Sequence, residues 1–210
     1  MATLDALRAK LNGEIGVATD GDTKPWTSTI RNTAISDGYA DLWRKGVWKL
    51  ATQSIATVDE DVTYALTTIR RLDRVDLLDS ESRVVEQPRA VVEEDGAGGY
   101  QLRLRTPIAA GFTLLVRGWT AYKSQFSGGS DTDDLPAEDN RIPLLKAKVI
   151  LYRIAVGNFA RYGERQALPP DMNSSVENLL AVIAAAEREY ADEARALSRL
   201  RPRTSQTRSV

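Results

Sequence analysis

A chain of 210 residues suits one domain of ordinary size, or one domain with a large insertion, and its 42% apolar and 27% charged content is enough for a real core in a soluble protein. A formal net charge of −1 describes neither a polycation built for nucleic acid nor an acidic tail. Cysteine and histidine are both absent, which excludes disulfides, thiolate or imidazole zinc sites, and Ser-His-Asp or Cys-His catalysis, and leaves Asp/Glu, Lys or Tyr chemistry to any enzyme reading.

The chain opens on MATLDALRAKLNGEIG, amphipathic and mixed in charge, without the apolar block of a secretory signal. Thr3 is placed to cap a first helix with Leu4, Leu7 and Leu11 on one side, ended by Gly13, Gly16 and an Asp20-Gly21-Asp22 turn. A second helix begins after Pro25-Trp26 with Thr27 or Ser28 as N-cap and runs to about Lys45, with Ile30, Ala34, Ile35, Tyr39, Leu42 and Trp43 on its apolar side. Gly46 is its stop. Gly38 inside that helix costs about 1 kcal/mol relative to Ala, so close packing against another backbone is expected there.

From Val47 to about Tyr122 the apolar period falls to two. Val62, Tyr64 and Leu66, then Val75 and Leu77, then Tyr100, Leu102 and Leu104, then Phe112, Leu114 and Val116 alternate as half-buried strands do. Asp95-Gly96-Ala97-Gly98-Gly99 reads as a hairpin turn, and Pro88 sets its strand at a sheet edge or just after the proline. A Gly/Ser loop, SQFSGGSDTDD, follows.

Leu135 to Gln166 then reads as one long helix, apolar over most of its circumference. Ile142, Leu145, Val149, Tyr152, Val156 and Phe159 form one stripe for subunit or bundle packing, and Leu144, Ala147, Leu151, Ile154 and Ala155 a second beside it. Lys146, Lys148, Arg153 and Arg161 keep a narrow face wet. Arg153 interrupts Val149–Val156, so no membrane span is expected. Leu168-Pro169-Pro170-Asp171 breaks the helix. A last helix is expected from a Ser174/Glu177 capping box to about Leu200, with Val176, Leu179, Ile183, Ala186, Tyr190, Ala194 and Leu197 as its stripe. The expected fold is therefore α+β: a helical bundle of about four helices from residues 1–46 and 135–200, an inserted antiparallel sheet or sandwich over 47–123, and a flexible basic tail over 201–210.

Few residues suggest chemistry. Asp131, Asp133, Asp134, Glu138 and Asp139 form the densest acidic cluster, but their spacing does not match a calcium loop; an acidic helix start with solvated loop charge is the simpler reading. If copies of the chain ring a pore, Asp131, Asp133 and Asp134 would keep a passing polyanion from sticking. Gly96, Gly98 and Gly99 lie between strands and lack a Gly-Lys-Ser/Thr ending, so they are not a phosphate loop. Trp26, Trp43, Trp48 and Trp119 are read as packing rather than base stacking, and Arg103, Arg105 and Arg117 as a solvated sheet face. Arg195, Arg199, Arg201, Arg203 and Arg208 follow the last acid, Glu193, and suit a tail that orders on docking to an acidic or grooved partner, with a solvated tail of no consequence and non-specific phosphate binding as the alternatives.

Three stretches together give the chain a family likeness: KPWTSTIRNTAISDGYADLWRKG, the strand GFTLLVRGWTAY, and DLPAEDNRIPLLKAKVILYRIAVGNFARYGER. In their arrangement over about residues 3 to 200 the chain resembles the head-to-tail connector (adaptor) proteins of tailed bacteriophages. The resemblance implies a structural virion protein of the neck, assembled in the host cytoplasm and free of enzymatic activity and cofactors. It implies a homo-oligomeric ring, dodecameric in the family, that docks on the portal protein, extends the channel through which double-stranded DNA passes non-specifically, and offers a platform to the stopper or tail-terminator protein. In that reading Arg199, Arg201, Arg203 and Arg208 belong to the portal-docking segment. Alternatives are a stopper or tail-terminator subunit, a DNA-binding regulator using the basic tail, or a hydrolase working through Asp/Glu and a metal.

Overall fold

The computed structural model describes residues 1–17, 26–162 and 176–200, the side chains of 159–162, 176 and 200 excepted. The expected Asp20-Gly21-Asp22 turn, the Pro169-Pro170 break, the Ser174 cap, the Phe159 and Arg161 side chains, and Arg201, Arg203 and Arg208 lie outside the described residues. The fold is α+β, with four helices and two antiparallel sheets among the described residues. Two compact units divide the chain, Met1–Val47 with the helical segments beyond Tyr122, and Trp48–Ala121.

In the helical unit, α1 (Leu4–Glu14) is capped by Thr3, whose Oγ1 accepts from the Ala6 N–H at 3.2 Å. Leu4, Leu7 and Leu11 are buried as their spacing requires. Gly13 sits within this helix instead of ending it; the stop is Ile15, with Gly16 at φ 71 just beyond. α2 (Ser28–Arg44) takes Thr27 as N-cap, the hydroxyl accepting from Ile30 N–H at 3.3 Å, and ends before Gly46 at φ 78. It buries Ala34, Ile35, Tyr39 and Leu42.

The third helix, α3, is Arg141–Tyr162, so the expected start at Leu135 is six residues too early. Pro143 accounts for the difference. A proline has no N–H and fits only the first turn of a helix, so one containing Pro143 starts close before it. Residues 135–140 instead form turns, with Asp139 N–H donating to Pro136 C=O and Ile142 N–H to Asp139 C=O, each at 3.0 Å. α4 (Val176–Leu200) buries Leu179, Ile183, Ala186, Tyr190 and Ala194.

All four helices contribute to one core. Both stripes of α3 belong to it: Ile142, Leu145, Val149 and Tyr152 from the first, and Leu144, Ala147, Leu151 and Ala155 from the second, are buried, with Val156 packed at the margin. Gly38 meets the backbone of α3, since a Cβ there would run into the Pro143 carbonyl. Trp26 is buried, donates from Nε1 to the Leu151 carbonyl at 2.9 Å, and packs at 5.9 Å from the Tyr152 ring.

The β unit holds a four-stranded sheet in the order β1-β7-β3-β4, formed by β1 (Lys49–Ala56), β7 (Thr113–Thr120), β3 (Arg71–Leu78) and β4 (Val84–Glu86). A three-stranded sheet runs β2-β6-β5, from β2 (Thr63–Leu66), β6 (Tyr100–Leu104) and β5 (Ala90–Glu94). The alternating apolar residues of the two sheets, among them Tyr64, Leu66, Val75, Leu77, Leu102, Leu104, Leu114 and Val116, share a second core. The hairpin at Asp95–Gly99 pairs Glu94 with Tyr100, Asp95 Oδ1 accepts from Ala97 and Gly99 N–H at 2.8 Å, and β5 starts two residues after Pro88 at the edge of its sheet. β1 and β4 were not legible as strands.

Gly38→Ala separates two effects of opposite sign. Helix propensity alone favours Ala by about 1 kcal/mol. Contact with Pro143 makes the site overpacked, which costs about 1–3 kcal/mol. Urea unfolding of the variant should therefore show a net loss of stability, whereas a gain would mean that α2 and α3 do not meet there.

Candidate functional site

The acidic loop before α3 is a clasp for the N-terminus. Leu4 N–H donates to Asp131 C=O at 2.9 Å, Asp5 N–H to Gly129 C=O at 3.0 Å and Asp133 N–H to Ala2 C=O at 2.9 Å, while Thr3 bridges Thr132. Asp133 is 1% exposed. Its Oδ1 accepts from the Ala2 N–H and its Oδ2 from the Tyr39 hydroxyl at 2.7 Å. Asp134 Oδ1 accepts from Lys123 N–H at 2.8 Å. Asp131 accepts from the Ser127 N–H and from the Ser127 hydroxyl at 2.8 Å, and sits 3.3 Å from Lys123 Nζ. For Asp133 alone the expectation of solvated loop charge and of a channel-facing role is corrected by this geometry, since a buried carboxylate engaged by two donors has no surface to offer a passing ligand, while Glu138 is exposed and Asp131 and Asp134 are half-buried. Nor do the acids fall in the first turn of α3, which contains none.

Burial, then the Asp133 hydrogen bond, push the Tyr39 phenol well above its ordinary range. Tyr190 is raised in the same way, first by burial and then by its hydrogen bond to Asp41 Oδ2 at 2.8 Å. Burial pushes Tyr152 up to about 12, with the Glu14 charge adding to it. A phenol held neutral serves as a hydrogen-bond donor and not as a base near neutrality. Tyr39 thereby ties α2 to the loop before α3, and Tyr190 ties α4 to α2. Among the described residues no group of three acids converges to hold a metal ion, and no helix is long and apolar enough to cross a membrane.

The wet strip of α3 is engaged too. Lys148 Nζ lies 3.5 Å from Glu14, Lys146 Nζ 3.7 Å from Asp41, and Arg153 pairs with Glu187. Arg141 holds Glu189 and, at 2.9 Å, Glu193, whose carboxyl is raised first by burial, with Arg141 opposing the shift. Arg199 is exposed in the last turn of α4. Of the four residues assigned to portal docking it alone is among those described.

The β unit presents a different surface. Strand register places Leu50, Trp119 and Arg71 in one row across the outer face of the larger sheet, Thr52, Arg117 and Arg74 in the next, and Ser54, Leu115 and Asp76 in a third. Arg74 lies three positions after Arg71, an odd spacing that in a regular strand would place them on opposite faces. A bulge at Asp73, where the pairing with β7 shifts between Leu72 and Arg74, returns both to the outside. Gly118 makes room there, because a Cβ would strike the Arg71 carbonyl and Ile69. Arg71 stacks on Trp48, its guanidinium carbon 4.5 Å from the ring centroid, and Trp48 lies 6.2 Å from Trp119.

Beneath these arginines the Asp76 side chain is 1% exposed, its Oδ2 3.2 Å from Arg74 Nε and 3.5 Å from Arg117 Nε, and its Oδ1 accepts from Gln87 at 3.1 Å. No hydrogen bond is aligned to Oδ2 or to Arg117 Nε. Arg103, grouped with Arg117 from the sequence, lies on the smaller sheet and pairs with Glu93 at 3.7 Å, so the two do not share one face. Sequence reasoning missed Arg71, Arg74 and Asp76. The signal available was RRLDRVD, a run whose charges break the period of two.

The clasp has a pH signature. Backbone and hydroxyl hydrogen bonds from Ser127, with Lys123 close by, hold the Asp131 carboxyl at about 2, below its ordinary 3.8. A depressed carboxyl contributes fully above the unfolded value and loses its contribution as pH falls through the folded one. Protection of the Ser127 and Gly128 amides, taken relative to unstructured peptide at the same pH, should fall between about pH 4 and pH 2, and Asp131→Asn should remove most of that pH dependence; an unchanged profile would assign the protection to another group.

In comparisons with known proteins, no protein-family model matches this chain and no curated protein matches it significantly.

Proposed function

We propose that the chain is a structural subunit of a tailed-bacteriophage neck, a head-to-tail adaptor that assembles as a ring, docks on the portal and carries the stopper or tail. One observation supports this reading above others. The three stretches that carry the resemblance coincide with elements that organise the fold: the first is α2 with its Trp26 anchor, the second is β7 at the interior of the larger sheet, and the third runs from Asp134, just after the clasp to the N-terminus, into α3. The likeness therefore falls on structural elements, in the expected order, with a β unit between two pairs of helices. The buried acids and phenols also favour a structural role, since Asp133, Tyr39 and Tyr190 bond one another or neighbouring segments and face no open cleft.

In this mechanism the helical unit is a rigid body, and the exposed surfaces make the contacts. Docking of the basic C-terminal segment is coupled to assembly by mass action, because a portal that binds only the docked form pulls the ring together. Purified protein imaged in negative stain, alone and with portal complexes, should give rings or portal caps. A compact monomer under both conditions overturns the reading. Truncation before Arg201 should weaken portal docking, and unchanged docking would remove the tail from the mechanism while leaving the ring.

A further inference from the structure

We infer that the arginine rows of the larger sheet receive the acidic tip of the β1–β2 turn from a second copy of this chain, a head-to-tail contact between β units. The inference rests on the ring reading above and names the surfaces that would join there.

The receiving surface begins with Arg71, Arg74 and Arg117, brought onto one face by the Asp73 bulge. Arg74 and Arg117 approach the buried Asp76 through Nε, and the two side chains remain 47% and 41% exposed. Arg71 is exposed and stacked on Trp48. One buried carboxylate thus orients two guanidinium groups, and the surface keeps an excess of positive charge. Beside Arg71 and Trp119 in the first row, Leu50 is 60% exposed, an apolar residue with no cover.

The inserting surface has the opposite character. Val58-Asp59-Glu60-Asp61 forms an exposed turn between β1 and β2. Asp61 Oδ1 accepts from Thr63 N–H at 3.3 Å, and among the described residues Asp59 and Glu60 form no ion pair. Glu60 adopts φ 62, a conformation that glycine or asparagine takes more readily, so the turn keeps a charged side chain where backbone preference argues for a smaller one. Val58 is 56% exposed beside the acids, the counterpart of Leu50 beside the arginines.

A chain does not satisfy its own face in this way. Ala56 lies four positions along β1 from Thr52 in the arginine row, about 13 Å at the rise of a strand, and the acidic turn continues beyond it. The two surfaces are different, so joining them is heterologous, and a heterologous contact repeats from copy to copy and closes into a ring when its rotation allows. Opposed charges of this kind set partner choice and encounter rate, and they weaken as salt screens them.

Charge reversal tests the contact on the full-length chain, with light scattering and native mass spectrometry as readouts, alone or on portal complexes. Asp59→Lys/Glu60→Lys reverses the tip, and Arg71→Glu reverses the face without touching the pairing of Asp76; Arg71→Gln is the milder companion should the reversal disturb folding. Each variant should fall to monomer under conditions where the parent assembles, and added salt should do the same to the parent. An equal mixture of tip and face variants should assemble with the two alternating, because one junction is the parental pair and the other the charge-reversed pair. The variant carrying all three substitutions should recover assembly. Parent-like assembly of both reversals, or no recovery in the combined variant, overturns this contact and leaves the ring reading standing. Binding of duplex DNA that Arg71→Glu abolishes while assembly is untouched assigns the face to DNA and overturns it as well. A parent chain that never assembles removes the ring reading itself.

Discussion

A helix that is apolar over most of its circumference dissolves only when other helices enclose it, and α3 imposes that condition on the whole helical unit. Its two stripes are shared among α1, α2 and α4, so the chain's first and last described helices are both drawn to it. Even the narrow polar strip is divided among the neighbours: Lys148 faces Glu14 of α1, Lys146 faces Asp41 of α2, and Arg153 and Arg141 face acids of α4. Exposed pairs of this kind contribute roughly 0–1 kcal/mol each, so their value lies in fixing which helix takes which side. The stability comes from the apolar burial beneath them.

How far this was readable from sequence depended on how locally each signal was written. Thr3, Thr27, Gly46 and the Asp95–Gly99 turn act on backbone within a few residues, and each took the place its chemistry required. The α3 start was also written locally, in Pro143, but the acids ahead of it suggested a longer helix. β1 was hidden because the inward residues of KLATQSIA include Ala51 and Gln53 while Leu50 points out, so its alternation carries no hydropathy contrast. β4 has three residues, too few for any period.

The candidate surfaces were harder to read for a different reason. Asp133 reads as one acid among five, and only its long-range partners, Ala2 and Tyr39, make it a buried one. The pairing of Arg74 with Arg117 needs the strand order, which places β7 beside β3 although β4, β5 and β6 lie between them in sequence. Gly38 is the exception. A helix-breaking residue inside a confident helix pattern already implied a close backbone, and the contact with Pro143 is that backbone.

The bulge at Asp73 makes the arginine face unusually tolerant of one change in chain length. Two consecutive residues, Leu72 and Asp73, occupy the space opposite Gly118, and the extra one compensates for an odd spacing between Arg71 and Arg74. Deleting Asp73 would make that spacing even, so a regular strand would present the same residues outward with no bulge at all. Straightening the strand with Asp73 retained would instead turn Arg71 inward. For this surface a one-codon deletion is the conservative event, and a slip of register in an unaltered gene product is the disruptive one.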